Sequence, residues 1–184
     1  MKWRSLLQVL LWAVLQWATL ISCTSVQNKA IPLASFTENY VDVTISLEYG
    51  PDNNNFLSAT FTPPAGYHLY SKDIPITGVN GLGRPTLLEL SPHSSLKTAG
   101  ILSANVNPQF PEFEPKELMV YPAGAVRLRL PVELPAGVDW TEDELIVTYM
   151  ACNASQCKPP VEGKTVPVRI PVKDILDSKE REIP

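Results

Sequence analysis

Histidine and cysteine are scarce, two and three among 184 residues, and charged side chains make up only 18% of the chain. His68 and His93 stand in separate segments, so no metal-ligand motif assembles: two thiols alone would leave zinc two ligands short. Lys and Arg nowhere cluster. A net charge of -4 and a pI near 5.2 repel phosphate, which excludes nucleic acid as a partner. Beyond the N-terminus no apolar run approaches the roughly 20 residues of a membrane-spanning helix, which excludes a polytopic membrane protein. Internal repeats and low-complexity stretches are missing too. With 45% hydrophobic residues and so small a net charge, disorder is excluded. Helical periodicity is also lacking, except over 172–182, where a charged tail could hold a frayed helix.

The sequence does have an export signal: Lys2 and Arg4 form a charged start, and Leu6 to Ile21 an apolar stretch broken by Gln8 and Gln16. The signal ends in Leu20-Ile21-Ser22-Cys23, which resembles the lipobox of bacterial lipoproteins, an aliphatic residue, a tolerant position, a small residue and the lipidated cysteine. That resemblance implies a signal peptide over 1–22, a lipid anchor on Cys23 and a tether over 23–35. The chain would then be held in the bacterial cell envelope, facing the periplasm or the exterior. Several acyl chains, at about 0.8 kcal/mol per buried methylene, anchor stably where one would not. An ordinary signal that leaves Cys23 as a spare thiol is the plainer alternative. Setting Cys23 aside as the lipid carrier leaves Cys152 and Cys157 as a pair in a disulfide-permissive compartment.

After the signal the dominant period is two. Val41, Val43, Ile45, Leu47 and Tyr49 alternate with Asp42, Thr44, Ser46 and Glu48, and Val126 to Leu134 repeats the pattern. Further strands are predicted at 56–62, 67–70, 86–90, 101–106, 145–149 and 166–172. Turn residues such as Pro63-Pro64-Ala65-Gly66 and Pro135-Ala136-Gly137 separate them. This pattern predicts one all-β domain over 36–172, an immunoglobulin-like antiparallel β-sandwich, followed by a charged tail over 173–184.

Chemistry concentrates at Tyr149-Met150-Ala151-Cys152-Asn153-Ala154-Ser155-Gln156-Cys157-Lys158-Pro159-Pro160. Five extended residues would span about 17 Å, whereas a disulfide holds its Cα atoms roughly 4.4 to 6.8 Å apart. Bonding the two cysteines therefore requires the chain to reverse between them, and the intervening residues are turn formers. Two readings stand. A plain staple across so short a loop contributes only about 2 kcal/mol; an exchange site would leave a sulfur open to in-line attack. Asn153-Ala154-Ser155 also matches a glycosylation sequon, which beside a lipobox reads as chance.

The stretch from Tyr149 to Pro160 resembles the Tyr-x-x-Cys, short loop, Cys-x-Pro-Pro signature of the N-terminal periplasmic domain of the DsbD thiol:disulfide interchange family. A second stretch, Gly66-Tyr67-His68-Leu69-Tyr70, is similar to that family's Gly-aromatic-aromatic-Leu-Tyr segment. The likeness covers most of 36–172.

The resemblance implies a redox-active pair in which Cys157 attacks and Cys152 resolves, with no cofactor. Electrons would come from a membrane thiol reductase and pass to thioredoxin-like periplasmic partners; standing alone, the same domain could instead be a thiol-binding adaptor for cytochrome assembly or envelope repair. The family covers its reduced thiols with a Phe-bearing loop; Pro111-Glu112-Phe113-Glu114 lies at the equivalent point, making Phe113 and Glu112 the cap. A core or turn aromatic is the alternative for Phe113. Tyr70 and His68 match aromatics that flank the cysteines, His68 standing where a tyrosine is usual. The family's transmembrane and C-terminal thioredoxin-like domains have no counterpart before Pro184, so the electron donor is expected to be a separate protein. The competing expectation is an immunoglobulin-like binding lipoprotein with a purely structural disulfide.

Overall fold

The computed structural model describes residues 30–50 and 54–172, all-β throughout, with no helix among them. The signal segment, Cys23, the Pro51–Asn53 part of one turn and the C-terminal tail lie outside the described residues. Eleven strands follow in order: β1 (Ala30–Glu38), β2 (Val41–Tyr49), β3 (Asn55–Thr62), β4 (His68–Leu69), β5 (Leu87–Leu90), β6 (Lys97–Thr98), β7 (Ser103–Ala104), β8 (Val126–Glu133), β9 (Trp140–Tyr149), β10 (Ala151–Cys152) and β11 (Val161–Pro171).

They form three sheets, and every pairing between named strands is antiparallel. The largest runs β1-β2-β3-β8-β6 with β7 also on β8, the second runs β11-β9-β5, and β10 pairs with β4 alone. Alternation explains the core. Val41, Val43, Ile45 and Leu47 of β2 are fully buried, and they join Val126, Leu128 and Leu130 of β8 with Leu145, Val147 and Ile170 of the second sheet in one hydrophobic cluster. Phe61 and Tyr149 meet edge to face inside it, ring centroids 5.4 Å apart.

β1 and β2 turn over in two residues, Asn39 and Tyr40, both with positive φ (51° and 65°). That is the conformation a tight hairpin needs to match strand twist. The strand takes up Ala30 to Ser35, residues that the sequence reading places in the tether. Three other boundaries differ from expectation. β9 begins earlier than its apolar run because Glu142 and Glu144 supply alternating outward positions, and β11 begins earlier because a register shift between Val161 and Lys164 breaks the period of two, both of which an apolar scan passes over. The segment over 101–106 contributes only the two residues of β7. Pro131 of β8, which has no N–H to donate, stands between the β8 partners of β6 and those of β7, so this edge breaks into two short strands.

Candidate functional site

Period-two alternation also builds the cysteine site. β4 and β10 pair with Ala151 opposite Leu69 and Cys152 opposite His68. Leu69 and Ala151 enter the main core, with 0% and 1% exposure. The alternate residues face the other way: Tyr70 and Cys152 join Ile74, Leu118 and Val120 in a second, smaller apolar cluster, with Met150 packed against it. Tyr70, Leu118, Met150 and Cys152 of this group line a cleft of about 670 Å³.

Cys152 and Cys157 are bonded, with Cα atoms 4.0 Å apart. The loop between them is ordered by its own hydrogen bonds. The Asn153 N–H donates to the Gln156 carbonyl (2.9 Å) and the Lys158 N–H to the Ala151 carbonyl (2.8 Å). Asn153 Oδ1 accepts from the backbone N–H groups of Ser155 and Gln156, both at 2.9 Å, and from the Ser155 hydroxyl at 3.1 Å. An asparagine side chain that mimics a backbone acceptor is a standard turn device. The cysteines differ in environment: Cys152 is 2% exposed, Cys157 lies on the surface, and both line the cleft.

The predicted flanking residues converge here. His68 meets Tyr70 edge to face at 5.5 Å and stacks on Phe113 at 5.9 Å with ring planes 26° apart. Phe113 and Glu112 come from the loop over 108–120, closed at its base by reciprocal hydrogen bonds between Gln109 and Val120 (2.7 and 3.0 Å). Pro111 and Pro115 keep this loop out of any ladder. Phe113 remains 40% exposed, so it belongs to the cleft wall rather than the core. Burial lowers the pKa of His68 below the ordinary imidazole value, favouring the neutral ring, and raises that of Tyr70. His68 Nε2 is buried with no hydrogen-bond partner.

The sequence reading missed two contributors. The segment over 77–84 forms the opposite wall, where Gly83 (φ +71°) packs so closely that a Cβ would sit 2.8 Å from Leu118 Cδ1. Arg84 holds this wall, donating from Nη1 to the carbonyls of Thr77, Gly81 and Gly83 (3.1, 3.2 and 2.6 Å) and pairing with Glu162. The glycines at 78, 81 and 83 were its only sequence signal. The second contributor is Lys158, whose ammonium lies 4.2 Å from the Tyr40 ring centroid and 5.2 Å from that of Tyr67. It ties the Cys157 shoulder to the β1–β2 turn.

Among the described residues no three His, Cys, Asp or Glu side chains converge as a metal site. In the comparisons with known proteins, no family model and no curated protein matches the chain. What the structure defines is an all-β protein with several antiparallel sheets and one disulfide, that of Cys152 and Cys157, at the floor and rim of an aromatic cleft.

Proposed function

We propose that this chain is a lipid-anchored thiol:disulfide exchange domain of the bacterial envelope, built as an immunoglobulin-like β-sandwich of the DsbD N-terminal type. The observation that carries the reading is the unequal exposure of the two cysteines. An exchanging pair needs one sulfur that a partner can reach and one held beneath it to release that partner. In the reduced protein, the Cys157 thiolate attacks a disulfide of a thioredoxin-like protein, forming a mixed disulfide and releasing one partner thiolate. Cys152 then attacks the Cys157 sulfur, the Cys152–Cys157 bond forms, and the second partner thiolate leaves. Two electrons have passed to the partner; a membrane thiol reductase returns them.

Three features support this reading. The Asn153 turn carries its own hydrogen bonds and so short a loop makes the disulfide a weak staple, worth about 2 kcal/mol, which favours exchange over the purely structural alternative. Phe113 and Tyr70 line the same cleft as both cysteines, which is compatible with a cap and a flanking aromatic. The two larger sheets share one core, as the layers of a sandwich do.

Trapping tests it. Cys152→Ser should accumulate a mixed disulfide with a thioredoxin-like protein, and Cys157→Ser should accumulate none. Equal trapping by both variants would reject the assigned roles. A redox titration placing the pair well below about -300 mV would reject exchange altogether. The anchor is tested separately by fatty-acid labelling, which Cys23→Ser should abolish.

A further inference from the structure

The Cys152 thiol poses a chemical difficulty for the exchange proposed above, on which this inference rests. A thiol as buried as Cys152 disfavours its charged form, yet only the thiolate attacks a disulfide. A proton acceptor at the buried sulfur would remove the difficulty. His68 is the direct cross-strand partner of Cys152, so the two side chains leave the same face of the β4–β10 pair, and both line the cleft.

In the oxidised protein His68 Nε2 is buried and has no hydrogen-bond partner. Buried ring nitrogens are normally paired, and reduction would supply what this one lacks, a thiol proton on the facing residue. We propose that His68 is the proton acceptor for Cys152 in the resolving step. With the ring proton on Nδ1, Nε2 takes the proton from the Cys152 thiol. The thiolate attacks the Cys157 sulfur, the Cys152–Cys157 bond forms, and the partner leaves as a thiolate. The imidazolium then gives its proton to that thiolate or to solvent, which returns His68 to its neutral form.

The groups facing His68 are consistent with a neutral resting ring. Tyr70 on its own strand is a phenol whose ionisation burial opposes. Phe113 covers it from the cap loop. Glu112 and Glu114 line the same cleft from exposed positions, and Arg84 is engaged by Glu162 and backbone carbonyls. Burial itself also favours the neutral imidazole.

Stopped-flow reaction of the reduced protein with 5,5′-dithiobis(2-nitrobenzoate) separates the two steps, because attack by Cys157 releases the first chromophoric thiolate and resolution by Cys152 the second. His68→Phe and His68→Gln should leave the first phase within about twofold. Both should slow the second by about tenfold or more at pH 7, since general-base assistance is typically worth at least that. The deficit should begin to shrink only as the pH rises above the ordinary thiol value of about 8.5, because burial holds the Cys152 thiol protonated beyond it. A second phase unchanged in both variants, or a deficit constant with pH, would overturn the role of His68. Failure of the exchange reading looks different: Cys152→Ser would then trap no thioredoxin-like partner, while the two chromophore phases and their dependence on His68 persisted.

Discussion

Phe113 lies nearly parallel over His68, ring centroids 5.9 Å apart, while 40% of its own surface stays in solvent. A ring at the rim of a cleft, outside the core cluster and two-fifths exposed, can be displaced without unpacking the core. Phe113→Ala should therefore cost less than about 1.5 kcal/mol, the scale of a single aromatic pair. It should also speed the reaction of the reduced pair with small-molecule disulfides several-fold, as seen in chromophore release. A loss of about 3 kcal/mol or more with unchanged reactivity would instead mark a packing residue.

The disulfide itself should contribute little to folding. Closing so short a loop is worth about 2 kcal/mol in the chain-entropy account, and the turn hydrogen bonds of Asn153 already order it. Urea melts with and without reductant should show two folded forms differing by about that amount. Complete unfolding on reduction would point to a structural bond.

Glu48 gives a pH dependence. It is 1% exposed and pairs with Arg127 and Arg129 of β8. Burial alone would raise its pKa, but the hydrogen bonds from Ser58 and Arg127 and the charges of both arginines outweigh it and hold the carboxyl below its ordinary value. The stabilisation is thus present above the unfolded value of 4.5 and is lost as pH falls through the lower folded one. Denaturant melts between neutral and acidic pH should show that loss. Glu48→Gln should remove this component of the acid sensitivity and lower stability at pH 7 by about 1 to 3 kcal/mol.

Gly83 and Gly81 offer a paired comparison on one wall of the cleft. Both have positive φ, but a Cβ on Gly81 meets nothing within 4 Å, whereas on Gly83 it meets Leu118 at 2.8 Å and the Tyr70 ring at 3.2 Å. Gly81→Ala should cost about 1 kcal/mol of backbone strain. Gly83→Ala should cost distinctly more, as thermal melts would show.

Much of this architecture was legible in the sequence, for identifiable reasons. Half-buried antiparallel strands print a period of two, so Val41 to Tyr49 and Val126 to Glu133 could be read directly. The Cys152–Cys157 reversal followed from turn formers between two thiols. β1 was not legible, because it is an edge strand with no fully buried side chain and carries Pro32 beside a register shift. The cleft wall held by Arg84 was also hidden, since its partners, Glu162 above all, are brought to it only by the fold. Position 68 could be singled out by its residue type, but its pairing with Cys152 depends on the register of β4 against β10.

The hydrogen-bonded turn between the cysteines has a kinetic consequence. Because Asn153 hydrogen-bonds the loop through its own side chain and backbone, the two thiols should stay near one another after the bond is broken. Each then experiences the other at a high effective molarity, with little ordering left to be done on ring closure. Mixed disulfides with a partner should consequently be short-lived in the intact protein, and they become capturable once the buried thiol is removed.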